Sequence, residues 1–240
     1  MTRLALLADV HANLPALEAV LASVTGEVSG YLCAGDMVGL GPWPEEVLGR
    51  LDELEAVCVL GNHDAECVCG RPIVLNAPGE VLAWTREVLS AGRLAALAAL
   101  PEWRTDTEWT LVHGSLRGHL WEFLFDLATA RASFELLVGR LGVFGHTHQQ
   151  GGFVLHSTRV AAMDVREGGI DLVPGARYLV NPGSVGAPRD GDPRAACAIV
   201  DLELGKLWFR RIAYPIEATV RELERLGLPS SLGEHLRTGR

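Results

Sequence analysis

Five short clusters of polar residues, each directly after an apolar run, constrain this chain more than any other feature. They are Asp9-Val10-His11, Gly35-Asp36, Gly61-Asn62-His63-Asp64, Val112-His113-Gly114 and Gly145-His146-Thr147-His148. A compact apolar run bounded by turn residues reads as a buried strand. Strands alternating with helices imply parallel pairing, and open α/β sheets gather their ligands at the carboxyl ends of the strands. Each cluster therefore stands where such a sheet presents its chemistry.

The order of elements agrees. Arg3 to Ala8 is apolar and runs into Asp9; Leu14 to Val24 has helical spacing, with Asn13 as N-cap and Pro15 in the first turn. Tyr31 to Ala34 predicts a second strand, Glu45 to Leu54 a helix and Ala56 to Leu60 a third strand. Two helices are expected between Pro78 and Leu100. A strand over Trp109 to Val112, a helix over Thr129 to Arg140 and a strand over Leu141 to Phe144 follow. Beyond Gln150, short β segments between Gly/Pro turns predict a second, mostly antiparallel sheet, closed by helices over Pro215 to Leu226 and Ser230 to Arg237. With no repeat or linker, the expectation is one domain over residues 1–240.

Taken together the clusters offer Asp9, His11, Asp36, Asn62, His113, His146 and His148, which is two carboxylates, one amide and four imidazoles without a thiolate. Such a set suits a pair of labile divalent cations acting on phosphate. A lone Asp-x-His, or one buried histidine, carries little information. Five clusters in this order are far more specific.

On these residues the chain resembles the calcineurin-like metallophosphoesterase superfamily, whose signature runs D-x-H, G-D, G-N-H-[DE], an isolated H and G-H-x-H. The likeness extends over essentially the full length. Asp9 to Leu17 and the turn Asn181 to Gly186 are similar to a small bacterial and archaeal branch of phosphodiesterases and diadenosine-tetraphosphatase relatives. The resemblance implies a four-layer α/β/β/α sandwich of mixed sheets with helices outside. It further implies that Asp9, His11 and His148 hold one ion, that Asn62, His113 and His146 hold the other, and that Asp36 bridges them. His63 would serve the substrate phosphate and leaving group, with Asp64 as its orienting partner. Two ions about 3.5–4 Å apart lower the pKa of a shared water toward roughly 7, supplying hydroxide at neutral pH. A protonated His63 would stabilise charge on the phosphate or hand a proton to the departing alkoxide.

Composition narrows the alternatives. A net charge of −9 without any Lys/Arg run excludes a protein that grips long nucleic acid along a basic stripe. The five cysteines, Cys33, Cys58, Cys67, Cys69 and Cys197, form no regular framework and predict reduced thiols. No apolar run reaches the roughly 18 residues of a membrane span, and the N-terminal one is too short for a signal core. A cytoplasmic location without membrane association is expected.

The function expected is a phosphoesterase dependent on two divalent ions, drawn from manganese, iron, cobalt, nickel or zinc, acting on small phosphate esters and on diesters in preference. A phosphomonoesterase or a dinucleoside-polyphosphate hydrolase is the near alternative, and a non-catalytic scaffold of the same fold the distant one. Asn13 and Arg189 are candidates for substrate contact, although the N-cap role already accounts for Asn13. The turn Asn181 to Gly186 is expected either to border the site or to be structural only. The oligomeric state is left open.

Overall fold

The alternation of β1 (Arg3–Leu7) sets the layers of the molecule. Ala5 and Leu7 pack with the helical side of the core, among Leu17, Val20 and Val24 of α1 (Leu14–Val24) and Val47 and Leu51 of α2 (Pro44–Glu53). Leu6 turns the other way, into a cluster with Leu111, Val143 and Val180 from a second sheet. Successive side chains of a strand point to opposite faces, so one short apolar run serves two cores at once. A third cluster, including Phe134, Leu137 and Phe153, fills the outer face of the second sheet beneath α6 (Leu127–Leu136). The result is helices, sheet, sheet, helix, as the resemblance implied. The computed structural model describes residues 3–69, 76–165 and 168–240.

The first sheet has the order β3 (Val57–Cys58), β2 (Gly30–Cys33), β1, β11 (Ala195–Asp201), β12 (Lys206–Ile212) and β9 (Gly169–Asp171). The second runs β4 (Trp103–Thr105), β5 (Trp109–Val112), β6 (Leu141–Val143), β10 (Arg177–Asn181), β7 (Gly151–His156) and β8 (Arg159–Ala162). The pairs β1/β2, β2/β3, β5/β6 and β6/β10 are parallel, so both sheets are mixed.

This corrects the expectation that the strands beyond Gln150 form a sheet of their own. They divide between the two sheets, and the early strands β5 and β6 belong to the second. Burial decides the division. Every residue of β11 is buried, and a strand covered on both faces needs a central place, which it takes antiparallel beside β1 with Ala5 opposite Ile199.

Smaller differences have local causes. The third strand ends at Cys58, and α3 (Asn62–Val68), unforeseen in the sequence, begins inside the Gly-Asn-His-Asp cluster. β4 was also unforeseen, because its three residues are all exposed and leave no burial pattern. α6 starts and ends earlier than expected because Asp126 caps it, accepting from the Thr129 amide at 2.8 Å. The helices α4 (Ala77–Val88) and α5 (Ala91–Ala98) lie over the first sheet's side. The closing pair α7 (Ile216–Arg225) and α8 (Ser231–Thr238) packs against α1 and α4. No described helix is long and apolar enough to cross a membrane.

Candidate metal centre

All five clusters meet where parallel strands of both sheets end. Asp9 follows β1, Asp36 follows β2, and Asn62 is the first residue of α3 after β3. His113 directly follows β5, and His146 and His148 lie on the loop after β6. Among the described residues nine non-glycine positions adopt positive φ, and five of them are Asp9, His11, Asp36, His146 and His148. Such a conformation costs on the order of 1–3 kcal/mol per residue and persists only where the surroundings enforce it.

The enforcement is visible. The Asp9 amide donates to Gly35 O at 3.0 Å, and the His11 amide to Asp36 O at 2.9 Å, so the first two loops lock together. Gly61 lies so close to the second loop that a Cβ there would come within 2.1 Å of the Asp36 nitrogen. From the far side, the Ser184 hydroxyl donates to Asp9 O at 2.7 Å, and the Asn181 amide donates to Gly145 O at 2.8 Å and Thr147 Oγ1 at 2.9 Å. The turn Asn181 to Gly186 thus borders the site as a clamp on two of its loops.

Two groups of side chains converge within it: Asp9, His11, Asp36 and His148, and Asp36, His113 and His146, each with ligand atoms inside 4.8 Å. Asp36 is common to both. Its Oδ1 accepts the His63 amide at 2.8 Å, while Oδ2 lies 3.7 Å from His11 Nε2 and 3.4 Å from His113 Nε2. The Asn62 Oδ1 is 3.0 Å from His113 Nε2 and joins the second group.

The hydrogen bonds behind the ligands test whether cations fit. His11 Nδ1 lies 3.2 Å from Val38 O, His113 Nδ1 2.8 Å from Ala34 O and His148 Nδ1 2.5 Å from Ala187 O. A carbonyl only accepts, so each Nδ1 carries the proton and each Nε2 presents a bare lone pair. The Nε2 atoms of His11 and His148 nevertheless face each other at 3.1 Å. His113 Nε2 faces the Asn62 oxygen, the Asp36 carboxylate and His146 Nδ1, the last being a bare acceptor when the His146 proton is on Nε2. Asp9 Oδ2 is buried with no donor at all. Acceptors gathered without donors are repulsive unless a cation lies among them, and this donor set fits two.

Titration follows the same logic. Burial pushes Asp9 well above the usual carboxylate range, with the Asp36 charge adding to the effect, and raises Asp36 to about 6. Burial likewise lowers His113 to about 4 and His146 to about 3, and holds His11 and His148 well below the ordinary imidazole value. Burial thus favours the neutral imidazoles, the form in which they could hold a metal.

His63 stands edge-on to His11, with ring centroids 4.9 Å apart. Its Nδ1 is buried without a partner and faces Gly39, where a Cβ would approach it to 2.8 Å. Burial lowers its pKa, although the Asp36 charge opposes this. Burial thus favours the neutral ring over the protonated form that the resemblance would put to use.

Asp64 is a second correction. It does not touch the His63 ring. Its Oδ1 accepts the amides of Met37 and Val38 at 3.0 and 3.1 Å, and its Oδ2 accepts the Gly61 amide at 3.0 Å. A buried carboxylate with three amide donors fastens the second loop to the third, and its role is positional.

The Asn13 amide is likewise consumed by the fold. It donates to Gly186 O and Tyr214 Oη and accepts from Thr219 Oγ1 and the Ala16 amide. The capping role is sufficient, and no group remains for substrate. Arg189 differs: exposed at the edge of the site, it has no ion pair among the described residues, while its charge bears on Asp9, His11, Asp36, His146 and His148. Phe123, absent from the sequence candidates, stacks on His146 with centroids 4.0 Å apart. Nothing in its sequence surroundings marks it.

Comparison with known proteins places these features. Residues 2–205 match the family model described as the calcineurin-like phosphoesterase superfamily domain. An uncharacterised protein of Methanocaldococcus jannaschii is 31% identical, the match covering 99% of this chain and 98% of that one. The crystal structure of a metallophosphoesterase from Sphaerobacter thermophilus is 36% identical with a TM-score of 0.87, over 100% of this chain and 99% of its own. A protein of Pyrococcus horikoshii, 22% identical over 100% of this chain and 99% of its own, shares the fold with a TM-score of 0.81.

Proposed function

The chain belongs to the calcineurin-like phosphoesterase superfamily and is a metal-dependent phosphoric ester hydrolase, and we propose that it cleaves small phosphodiesters using two divalent cations. The carrying observation is the convergence of Asp9, His11, Asp36 and His148 with Asp36, His113 and His146 into two acceptor-lined groups that share one carboxylate. Asn62 completes the second group. Manganese, iron, cobalt, nickel and zinc all suit such nitrogen and oxygen donors. When bound, two such ions supply an activated water and Lewis-acid stabilisation of the phosphate oxygens.

The chain's own residues do the rest. Asp36 sets the spacing of the two groups, and Asp64 and Gly61 hold the loops that aim it. His63, neutral and beside the first group, donates a hydrogen bond to a phosphate oxygen or the departing ester oxygen. Arg189 offers its guanidinium to the same phosphate. Its charge bears on residues of both ligand groups, and one such cation suits the single negative charge of a diester better than the double charge of a monoester. All five thiols are free, which supports a reducing, cytoplasmic setting.

The test compares bis(p-nitrophenyl) phosphate with p-nitrophenyl phosphate under defined metals, alongside His63→Ala. The diester is expected to be turned over faster. His63→Ala is expected to lower kcat by about 10²–10⁴-fold while retaining its metal. Preference for the monoester would overturn the diester reading, and a fully active His63→Ala would remove the role given to His63.

A further inference from the structure

A cavity of about 340 Å³ opens beside the ligand cluster, on the side of His11 and Arg189. Its walls are Leu40 and Pro78 together with Leu232 and Leu236 of α8. Its size falls in the range of small-molecule sites, roughly 300–1,000 Å³. The polar groups at its base are already satisfied: Asn13 and Thr219 hydrogen-bond to each other at 2.9 Å. What the cavity offers a ligand is therefore mainly apolar wall, with His11, Arg189, His235 and Arg240 among its lining residues.

The origin of those walls is informative. The family match ends at residue 205, and α7 and α8 lie beyond it. The pair buries Val220, Leu223, Leu232 and Leu236 with Leu40 and Val81 in a satellite cluster, and the cavity is a gap left in that cluster. The Ala187 carbonyl that orients His148 belongs to a residue of the cavity lining, so the apolar space and the ligand cluster share a wall.

We propose that this cavity is the subsite for one ester group of the substrate, an apolar alcohol of benzyl or short branched-alkyl size, whose phosphate lies across Arg189 onto the ligand cluster. The assignment rests on the phosphodiesterase reading and deepens it. The C-terminal helices α7 and α8, which lie beyond the family match yet within the full-length relatives, thereby act as a specificity element.

Calorimetry with benzyl methylphosphonate and methyl methylphosphonate tests the assignment without turnover, on metal-loaded and metal-free full-length protein. The benzyl compound is expected to bind about tenfold or more tightly in both forms, from the apolar area it buries. Leu236→Trp, which fills the cavity, is expected to abolish that ratio. Leu236→Ala, which enlarges it, should shift the preference toward naphthylmethyl methylphosphonate and keeps the test open if the tryptophan variant fails to fold. Equal affinities for the benzyl and methyl compounds, or a ratio indifferent to both substitutions, would overturn the subsite. Absence of phosphate-ester turnover with the benzyl preference intact and lost in Leu236→Trp would overturn the proposed reaction and leave the subsite standing.

Discussion

The two sheets bring unequal chemistry to one centre. The loops of the first sheet supply both carboxylates, the Asn62 amide and only one imidazole, and they are fixed by backbone hydrogen bonds between neighbouring loops. The loops of the second sheet supply three imidazoles, two of which are aimed by an Nδ1 bond to a main-chain carbonyl. Neither sheet holds a complete ligand group: His148 from the second joins Asp9, His11 and Asp36, and Asp36 from the first joins His113 and His146. Cations held at this point would therefore join the sheets as well as serve the reaction.

Replacing the shared residue should break the comparison most severely. Asp36→Asn is expected to lower kcat/KM by about 10³-fold or more and to weaken both ions together, whereas His113→Ala should release one ion first. Elemental analysis of reconstituted protein reads the difference. Retention of two tightly held ions in Asp36→Asn would show that the sheets are not coupled through this carboxylate.

Asp64→Asn sharpens the account of the first sheet. An amide side chain offers one acceptor oxygen where the carboxylate receives three amides, so the variant should lose about 2–3 kcal/mol of stability and about tenfold in metal affinity. Denaturant unfolding and chelator competition measure the two effects. If instead stability is unchanged and kcat drops as far as in His63→Ala, Asp64 serves His63 and the positional role is wrong.

Proton competition separates carboxylates from imidazoles at the smallest scale. Asp36 is raised to about 6, while His113 and His146 are lowered to about 4 and about 3, so acidification protonates the first sheet's ligand before the second's. Metal affinity is expected to fall about tenfold between pH 7 and pH 5.5. A decline beginning only below pH 4 would implicate the imidazoles. The stability sign of the carboxyls is opposite in metal-free protein. Carboxyls whose folded pKa is raised, Asp36 to about 6 and Asp64 to about 7, contribute stability below their unfolded value that is lost as pH rises through the folded one. The buried histidines, whose folded pKa is lowered, act in the opposite sense and lose stability as pH falls, so the two sets of groups oppose each other in metal-free protein.

Much of this was legible before any coordinates. Strand periodicity and glycine punctuation gave β1, β2, β5 and β6 and the loops that follow them, because burial against two layers leaves apolar runs with abrupt ends. Asn13 and Pro15 marked the start of α1 by capping chemistry. α3 was hidden because Asn62, His63 and Asp64 are poor interior helix residues whose helicity depends on Asp64 capping Gly61. The resemblance pairs Asp64 with His63, whereas the strand-to-helix turn points the carboxylate back at three main-chain amides.

Side-chain type and local periodicity settle which residues could serve as ligands, that each follows a strand, and to which family the pattern belongs. Only the tertiary structure decided which sheet each strand joins, that Asp36 faces both histidine groups, that Asn13 and Asp64 are consumed by the fold, and that α7 and α8 leave a cavity beside His11. Those outcomes depend on contacts between segments as much as 206 residues apart, as in the bond between Asn13 and Thr219, and no local pattern encodes such a pairing.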